Sequence, residues 1–548
     1  MMESTRKAED IFKEFKEHSI AEFFKKNRQM LGYSGKVRSL VTVVHEYLTN
    51  SFDATEEAGI LPNIEIAVKQ TSDDKYKVSV LDNGPGIPRN YVGKALATIL
   101  AGTKFHRYTQ QRGQQGIGAA GCTLFSQITT GKQIHVKSCT GSSKAYSCDI
   151  SIDTVKNKPI VDNLQDIDEE FRGLLVEGEF ADVKYENSDH GVYEYLRRTA
   201  LSNPHAEIKF IDPDGKEHVF VRAVDIMPER PRPSKPHPLG LSVNDILEFA
   251  YVSQSRKIGA FLIDNFARVT QNKVNELKEI AKNINFEKDP RQITWPEAEE
   301  LIKAFSQVKW IAPDALHIKP IGEEQIRIAL RNILDPEFMN VVERKPTVFR
   351  GGVPFVVEAA VAFGGTSGKK TEEGYTGNIL RFANRVPLLF DSGSCAITVA
   401  VRDIQWKRYN IDIENQPVSI LVNVSSVHIP YSGVGKESIA QEDEIMEEIK
   451  LAVMEAARGV QRYISGKARA HEEAGRYNTI MRYTKQLAQD LGDITGSDHK
   501  KLEKSIEELV AKYYPKASEK EHESKEMDEK RSKEVEKTEA DELSESSA

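Results

Sequence analysis

Three short segments, in fixed order within residues 45–121, constrain this chain more than any other feature. They are His45-Glu46-Tyr47-Leu48-Thr49-Asn50-Ser51-Phe52-Asp53-Ala54, then Asp82-Asn83-Gly84-Pro85-Gly86-Ile87, then Arg112-Gly113-Gln114-Gln115-Gly116-Ile117-Gly118-Ala119-Ala120-Gly121. Each alone has an ordinary explanation: a solvated helix face with a capping Asp, an Asp-Asn-Gly turn, a flexible glycine loop. Core packing does not account for all three in this order. Together they supply a base and a metal ligand, a purine reader and a phosphate cradle.

In the first segment and its flanks, Val37, Leu40, Val41, Val44, Leu48 and Phe52 recur at helical spacing, which predicts an amphipathic helix over 36–58. Glu46, Asn50 and Asp53 fall at i, i+4 and i+7, on one stripe away from those apolar positions. Glu46 can polarise an attacking water. Asn50 can offer a carbonyl oxygen to Mg²⁺, a hard cation that takes few protein ligands beside phosphates. Upstream of the second segment, Ile64, Ile66 and Val68 alternate with polar residues, Thr71-Ser72-Asp73-Asp74 breaks the run, and Tyr76, Val78 and Val80 alternate again. That is a hairpin pattern, and it puts Asp82 at a strand end, before a Gly-Pro-Gly turn. A carboxylate there can accept a hydrogen bond from the exocyclic amine of adenine, and Gly84 and Gly86 let the backbone approach the ring. In the third segment the glycines at 113, 116, 118 and 121 let backbone amides converge on anionic oxygens. A following helix, begun by Ala119, Ala120, Cys122, Leu124 and Phe125, adds its positive end. It is not a Walker A loop: Gly435-Lys436 is followed by Glu437, not by a hydroxyl residue. Nor does its spacing fit a dinucleotide fingerprint.

The order of these motifs resembles the ATPases of the Bergerat (GHKL) fold, among them gyrase, Hsp90, MutL and the sensor histidine kinases. The resemblance implies a layered sandwich of helices on a mixed sheet. It implies Glu46 as general base, Asn50 as Mg²⁺ ligand and Asp82 as adenine reader, with residues 113–121 as the ATP lid. The ATP contacts it implies are Asn50, Asp53, Asp82, Gly84, Gly86, Thr103, Lys104, Gly113, Gln114, Gln115, Gly116, Ile117, Gly118 and Ala119. A narrower likeness runs from residue 19 to about 490. It is carried by Ser19-Ile20-Ala21-Glu22-Phe23-Phe24, His106-Arg107-Tyr108, Val192-Tyr193-Glu194-Tyr195-Leu196, Asn203-Pro204-His205-Ala206 and Ile379-Leu380-Arg381-Phe382-Ala383-Asn384-Arg385-Val386-Pro387-Leu388. These segments are similar to the B subunits of type IIB DNA topoisomerases. That likeness implies a transducer domain whose Lys436 reaches the γ-phosphate and serves catalysis. It also implies self-dimerisation on ATP binding, a topoisomerase VI A subunit as partner in an A2B2 heterotetramer, and double-stranded DNA as substrate. In one place the sequence departs: Gly173-Leu174 stands where the family has Gly-Thr, so a hydroxyl contact is lost.

The expected fold is therefore α+β and multidomain. Residues 1–229 form the Bergerat ATPase domain with its N-terminal strap, and 230–317 a helical helix-two-turns-helix insert. Residues 318–515 form the α/β transducer with long C-terminal helices, and 516–548 a disordered charged tail. Pro228, Pro231, Pro233, Pro236 and Pro238 mark a linker. In the insert Phe249, Ile258, Phe261, Leu262, Phe266, Val274 and Leu277 are the expected core. Its turn, Arg268-Val269-Thr270-Gln271-Asn272-Lys273, lacks the glycine frequent in DNA-contacting versions, so DNA contact and a structural role both stay open. Thr347–Phe349, Val353–Ala359, Ala396–Val401 and Val418–Val427 read as strands. Residues 440–491 read as helix, with a basic side made by Arg458, Arg462, Lys467, Arg469, Arg476, Arg482 and Lys485.

No apolar run approaches the ~18 residues of a membrane span. No secretory signal opens the chain, and the four cysteines form no Cys-x-x-Cys pair; these fit a reducing cytoplasm and no membrane. Net charge is −8, but residues 516–548 hold twelve acidic and seven basic residues, a net of −5. The rest is near neutral, and contact with DNA phosphates depends on local basic patches. Two other readings stand beside this one: a different Bergerat-fold ATPase, of chaperone or mismatch-repair type, and a non-enzymatic DNA-binding scaffold.

Overall fold

The computed structural model describes residues 20–29, 31–99, 108–113, 116–141, 144–168, 171–311, 313, 317–372, 374–433 and 435–514. Helix α1 (Ile20–Asn27) precedes α2 (Lys36–Ala58). The bounds of α2 are those its apolar spacing predicts. Glycine stands at both ends, and Gly59 takes the left-handed conformation, φ +73°, with its N–H on the carbonyls of Thr55 and Glu56. The buried face carries Leu40, Val44, Leu48 and Phe52.

The predicted hairpin follows as β1 (Asn63–Ser72) and β2 (Lys75–Asp82), paired antiparallel with Ile66 opposite Val80. Alternate residues of both strands are buried, as one covered sheet face requires. Next come α3 (Arg89–Ala97), α4 (Gly118–Thr130), β3 (Ile134–Cys139), β4 (Tyr146–Asp153), β5 (Lys158–Asp166), β6 (Gly173–Ala181), α5 (Val192–Ser202), β7 (Glu207–Ile211) and β8 (Glu217–Phe220). The eight strands form one sheet in the order β5-β4-β3-β6-β2-β1-β7-β8. The β1–β7 pair is parallel and its neighbours antiparallel, so the sheet is mixed. Residues of α2, α4 and α5 share a core with its inner face, with Phe52, Phe125 and Leu196 among Ile66, Val78, Val136 and Phe210.

Residues 221–237 hold no helix or strand, as the prolines predict. Helices α6 (Val243–Val252), α7 (Ile258–Asn265), α8 (Gln271–Ile280) and α9 (Trp295–Gln307) then build a separate core. Six of its seven predicted members are fully buried, and Phe249 packs at its edge. In the turn before α8, Arg268 takes a left-handed φ of +62°, a conformation that glycine adopts more easily.

Helix α10 (Glu323–Leu334) leads to β9 (Phe338–Glu343), β10 (Thr347–Phe349), β11 (Val353–Phe363), β12 (Lys369–Thr371), β13 (Gly374–Thr376), β14 (Asn378–Ala383), β15 (Val386–Pro387), α11 (Ala396–Arg402) and β16 (Val418–Ser426). A second sheet runs β10-β11-β16-β14-β15, with β9 also on β11. All of β16 and nearly all of β11 are buried, so this sheet is covered on both faces. Leu201 of α5 joins the core under it, which ties the two sheets together.

One expectation is corrected. Ala396–Val401, read as a strand for its β-branched residues, lies within the helix Ala396–Arg402. Every residue from Ala396 to Val401 except Val399 is buried. A segment buried on nearly all sides gives no alternating pattern, and packing overrides β-propensity.

The chain ends in α12 (Asp443–Thr495), 53 residues long, and α13 (His499–Tyr513). Glycines 459, 466 and 475 lie inside α12 without breaking it. The chain divides into two compact units, Met1–Trp406 with Asp412–Ala457 and Lys407–Ile411 with Arg458–Ala548. In the second, the Asn410 and Gln461 side chains tie the short segment to α12. The expected tail, 516–548, lies outside the described residues. No helix among the described residues is long and apolar enough to cross a membrane.

Candidate active site

Helix α2, the end of β2 and the start of α4 enclose a cavity of about 720 Å³, within the ~300–1,000 Å³ usual for small-molecule sites. Glu46, Asn50, Ser51 and Asp82 line it, with Gly86, Gly113, Gly116, Ile117, Gly118 and Ala119 around the rim; Lys436 also reaches it.

Asp82 is buried on the cavity floor, 3% exposed. Its Oδ1 accepts the Gly84 N–H (2.9 Å) and the Leu174 N–H (3.2 Å), and its Oδ2 accepts the Ser51 hydroxyl (2.8 Å). Burial raises the Asp82 pKa, and these three donors pull it back only in part. With two lone pairs per oxygen, one acceptor position remains on Oδ2. A ligand N–H fits there; a second acceptor does not. Leu174 thus serves through its amide, while its apolar side chain lines the cavity. Ser51 stands inside the first motif, yet sequence reasoning assigns it no task; its place one residue after Asn50 on α2 is the available signal.

The backbone around Asp82 tolerates little. Gly86 has φ +67°, and a methyl group there would come within 2.5 Å of the Cys139 carbonyl oxygen. Its glycine is therefore demanded by the protein's own packing. Gly84 lies behind Asp82, off the cavity lining.

Glu46 is half-buried on α2 against the N-terminus of α4, where a methyl group on Gly118 would overlap its Oε2. Its nearest cationic candidate is His45 Nε2, 4.0 Å away. Burial lowers the His45 pKa although Glu46 pulls it upward, so this ring is neutral at pH 7 and its Nδ1 pairs with the Tyr195 hydroxyl at 2.9 Å. No described residue donates a hydrogen bond to the Glu46 carboxylate or binds the Asn50 carboxamide.

Asp53 sits differently. It faces Arg112 (3.2 Å) and the Gly113 amide (3.4 Å) at the root of the glycine loop. Arg112 also makes a bidentate pair with Glu56 (2.8 and 2.7 Å) and donates to Asn203 Oδ1 (2.6 Å). Burial pushes the Glu56 carboxyl up, but Arg112 and the His205 hydrogen bond outweigh it and hold the group well below the usual carboxylate range. Thr103, Lys104, Gln114 and Gln115 lie outside the described residues.

Lys436 arrives from a loop after β16. The loop is closed by a Tyr431–Ile439 bridge, Lys436 has φ +53°, and Glu437 pairs with Arg38 Nε (2.9 Å) on α2. Residues more than 300 positions apart thus share one cavity.

Comparison with known proteins agrees with this geometry. Residues 35–154 match the family of histidine kinase-, DNA gyrase B- and HSP90-like ATPases, and residues 313–476 match the topoisomerase VI B-subunit transducer. The B subunit of type 2 DNA topoisomerase 6 from Methanothermobacter thermautotrophicus is 46% identical over 87% of this chain and 92% of its own length. The chain belongs to the topoisomerase VI B-subunit family. The corresponding B subunits of Pyrococcus abyssi and Pyrococcus horikoshii are each 43% identical over 92% of this chain and 96% of their own. The chain is the ATP-hydrolysing B subunit of a type II topoisomerase. The chaperone, mismatch-repair and scaffold readings fall with that assignment.

The hydrogen bonds of Asp82 give a first prediction. Asp82→Asn must keep its oxygen toward Gly84 and Leu174, so its amide group points at the remaining ligand position. If Asp82 reads the adenine amine, a donor then meets a donor, and ATP affinity falls by ~1–3 kcal/mol, about 5- to 150-fold. Calorimetry showing unchanged affinity would remove Asp82 from the purine site.

Proposed function

We propose that Glu46 is the general base for ATP hydrolysis, Asp82 the adenine reader and Asn50 the protein ligand for Mg²⁺, with the loop 113–121 and Lys436 holding the phosphates. The observation that carries this is the convergence of Glu46, Asn50, the glycine loop and a lysine from the loop after β16 on one cavity.

In this reading Glu46 takes a proton from the water that attacks the γ-phosphate. The N-terminus of α4 and the loop amides face the phosphate oxygens, where a helix dipole favours negative charge. The Lys436 ammonium adds a charge-assisted hydrogen bond to the γ-phosphate. Among the described residues no three His, Cys, Asp or Glu side chains gather into a metal cage. A single amide oxygen suits Mg²⁺, which keeps waters and phosphate oxygens as its other ligands. When bound, Mg²⁺ offsets charge on the β- and γ-phosphates. Asp53 contributes indirectly, by holding Arg112 and Gly113.

The same proposal includes two copies that dimerise through their ATPase domains when ATP binds, within an A2B2 assembly that passes one DNA duplex through another. It includes the domain division 1–229, 230–317, 318–515 and 516–548, with 230–317 as a helix-two-turns-helix module. The test is ATP turnover by the purified chain, with and without the A subunit and duplex DNA, beside plasmid relaxation. Turnover by the chain, and relaxation that needs ATP and both subunits, is the expected result. Relaxation by the A subunit without this chain would overturn it.

A further inference from the structure

The segment Ile379–Leu388 has no task in the proposed ATPase cycle. Strands β14 and β15 pair with Ala383 opposite Val386, so Asn384 and Arg385 are a two-residue hairpin loop. Both have positive φ, +48° and +67°. Such loops need that conformation; Asn tolerates it, whereas Arg adopts it at a cost. Both residues are nonetheless buried, 3% and 7% exposed, unlike ordinary turn residues.

The Asn384 carboxamide is fully engaged. Its Nδ2 donates to the Gln111 carbonyl (3.1 Å) and the Ser426 carbonyl (2.9 Å), and its Oδ1 accepts the Ser426 N–H (2.9 Å). Gln111 immediately precedes Arg112, at the root of the glycine loop. Ser426 ends β16, ten residues before Lys436. The next residue reinforces the joint: the Arg385 carbonyl accepts from Ser202 Oγ (2.7 Å) and Asn203 Nδ2 (3.1 Å), and Asn203 in turn accepts from Arg112.

We infer that Asn384 is a positioning residue that locks the root of the ATP lid to the root of the Lys436 loop. The inference rests on the roles proposed for the lid and Lys436. If the lid root slid against β16, the Asn384 carboxamide, 3% exposed, would lose the Gln111 carbonyl while still tied to Ser426. The two phosphate-facing elements therefore move as one, and γ-phosphate contact on either sets the position of the other.

The test is a double-mutant cycle on ATP turnover by the full chain. Asn384→Gly keeps the left-handed turn and removes only the carboxamide. It is expected to lower kcat roughly five- to tenfold with KM within about twofold, yet to cost less than about twofold on a Lys436→Ala background. An equal fold-loss in both backgrounds, or unchanged turnover in Asn384→Gly, overturns the inference. If Lys436→Ala alone leaves turnover unchanged, the reading of Lys436 fails first, and that result is separate. If Asn384→Gly does not fold, hydrogen exchange on the wild-type chain decides. A non-hydrolysable ATP analogue should protect residues 109–113 and 424–432 together, and protection of one without the other overturns the coupling.

Discussion

Glu46→Gln is expected to bind ATP like the wild-type chain and to hydrolyse it at least ~100-fold more slowly, the lower end of what a positioned general base contributes. The substitution keeps the shape of a side chain packed against Gly118, so the cradle at the start of α4 keeps its form. What it removes is basicity. No described residue donates a hydrogen bond to the Glu46 carboxylate, and its histidine neighbour is neutral at pH 7. No described donor therefore occupies the carboxylate lone pairs that take the proton of the attacking water. Glu46→Ala should lose hydrolysis equally but leave a gap beside Gly118. Single-turnover hydrolysis and calorimetric ATP binding check this on the same sample. Turnover within about threefold of wild type, or binding lost together with hydrolysis, would move the base elsewhere.

The helix, the hairpin and the strand-end placement of Asp82 were legible because each is local. Helical spacing gives α2, and alternation gives β1 and β2. Ala396–Val401 reads as a strand, although it lies in a helix, because burial on nearly every side leaves no periodicity, only β-branched composition. Long α12 shows the reverse: Gly459, Gly466 and Gly475 lie inside it at a cost of about 1 kcal/mol each, and open space surrounds Gly466 and Gly475, so no packing demands those two.

The candidate site divides in the same way. Glu46, Asn50 and Asp82 stand in motifs whose spacing carries their geometry. The contacts that organise them do not. Arg112 meets Asp53, Glu56 and Asn203, and Asn384 meets Gln111 and Ser426. These join positions far apart in sequence, which no local period encodes. Asp53 shows the consequence: its stripe on α2 does not announce Arg112 or the Gly113 amide, which tertiary packing brings to it. The place of Lys436 at the cavity follows from no local pattern, since a lysine in a turn carries no signature of what it will face.

Lys436→Ala should slow hydrolysis by ~10- to 100-fold, near or below the cost of removing one fixed donor from developing charge, and should weaken nucleotide-driven dimerisation as well. The loop is built to present this side chain. Ser432 N–H bonds the Ser438 carbonyl at 2.9 Å, Lys436 N–H bonds the Gly433 carbonyl at 3.2 Å, and Glu437 is anchored to Arg38 on the helix that carries Glu46. A cation held this way is drawn to a γ-phosphate when one is in place, so it favours one closed state over others. Sedimentation with a non-hydrolysable ATP analogue and Mg²⁺ should convert the wild-type chain from monomer to dimer and leave Lys436→Ala largely monomeric at the same concentration. Lys436→Arg should recover part of the dimerisation but little of the rate, because a planar guanidinium keeps the charge and changes the contact geometry. Arg38→Ala, which frees the loop but keeps the lysine, should fall between wild type and Lys436→Ala. If all three variants dimerise and hydrolyse like wild type, Lys436 is a surface lysine and the second sheet does not sense the nucleotide through it.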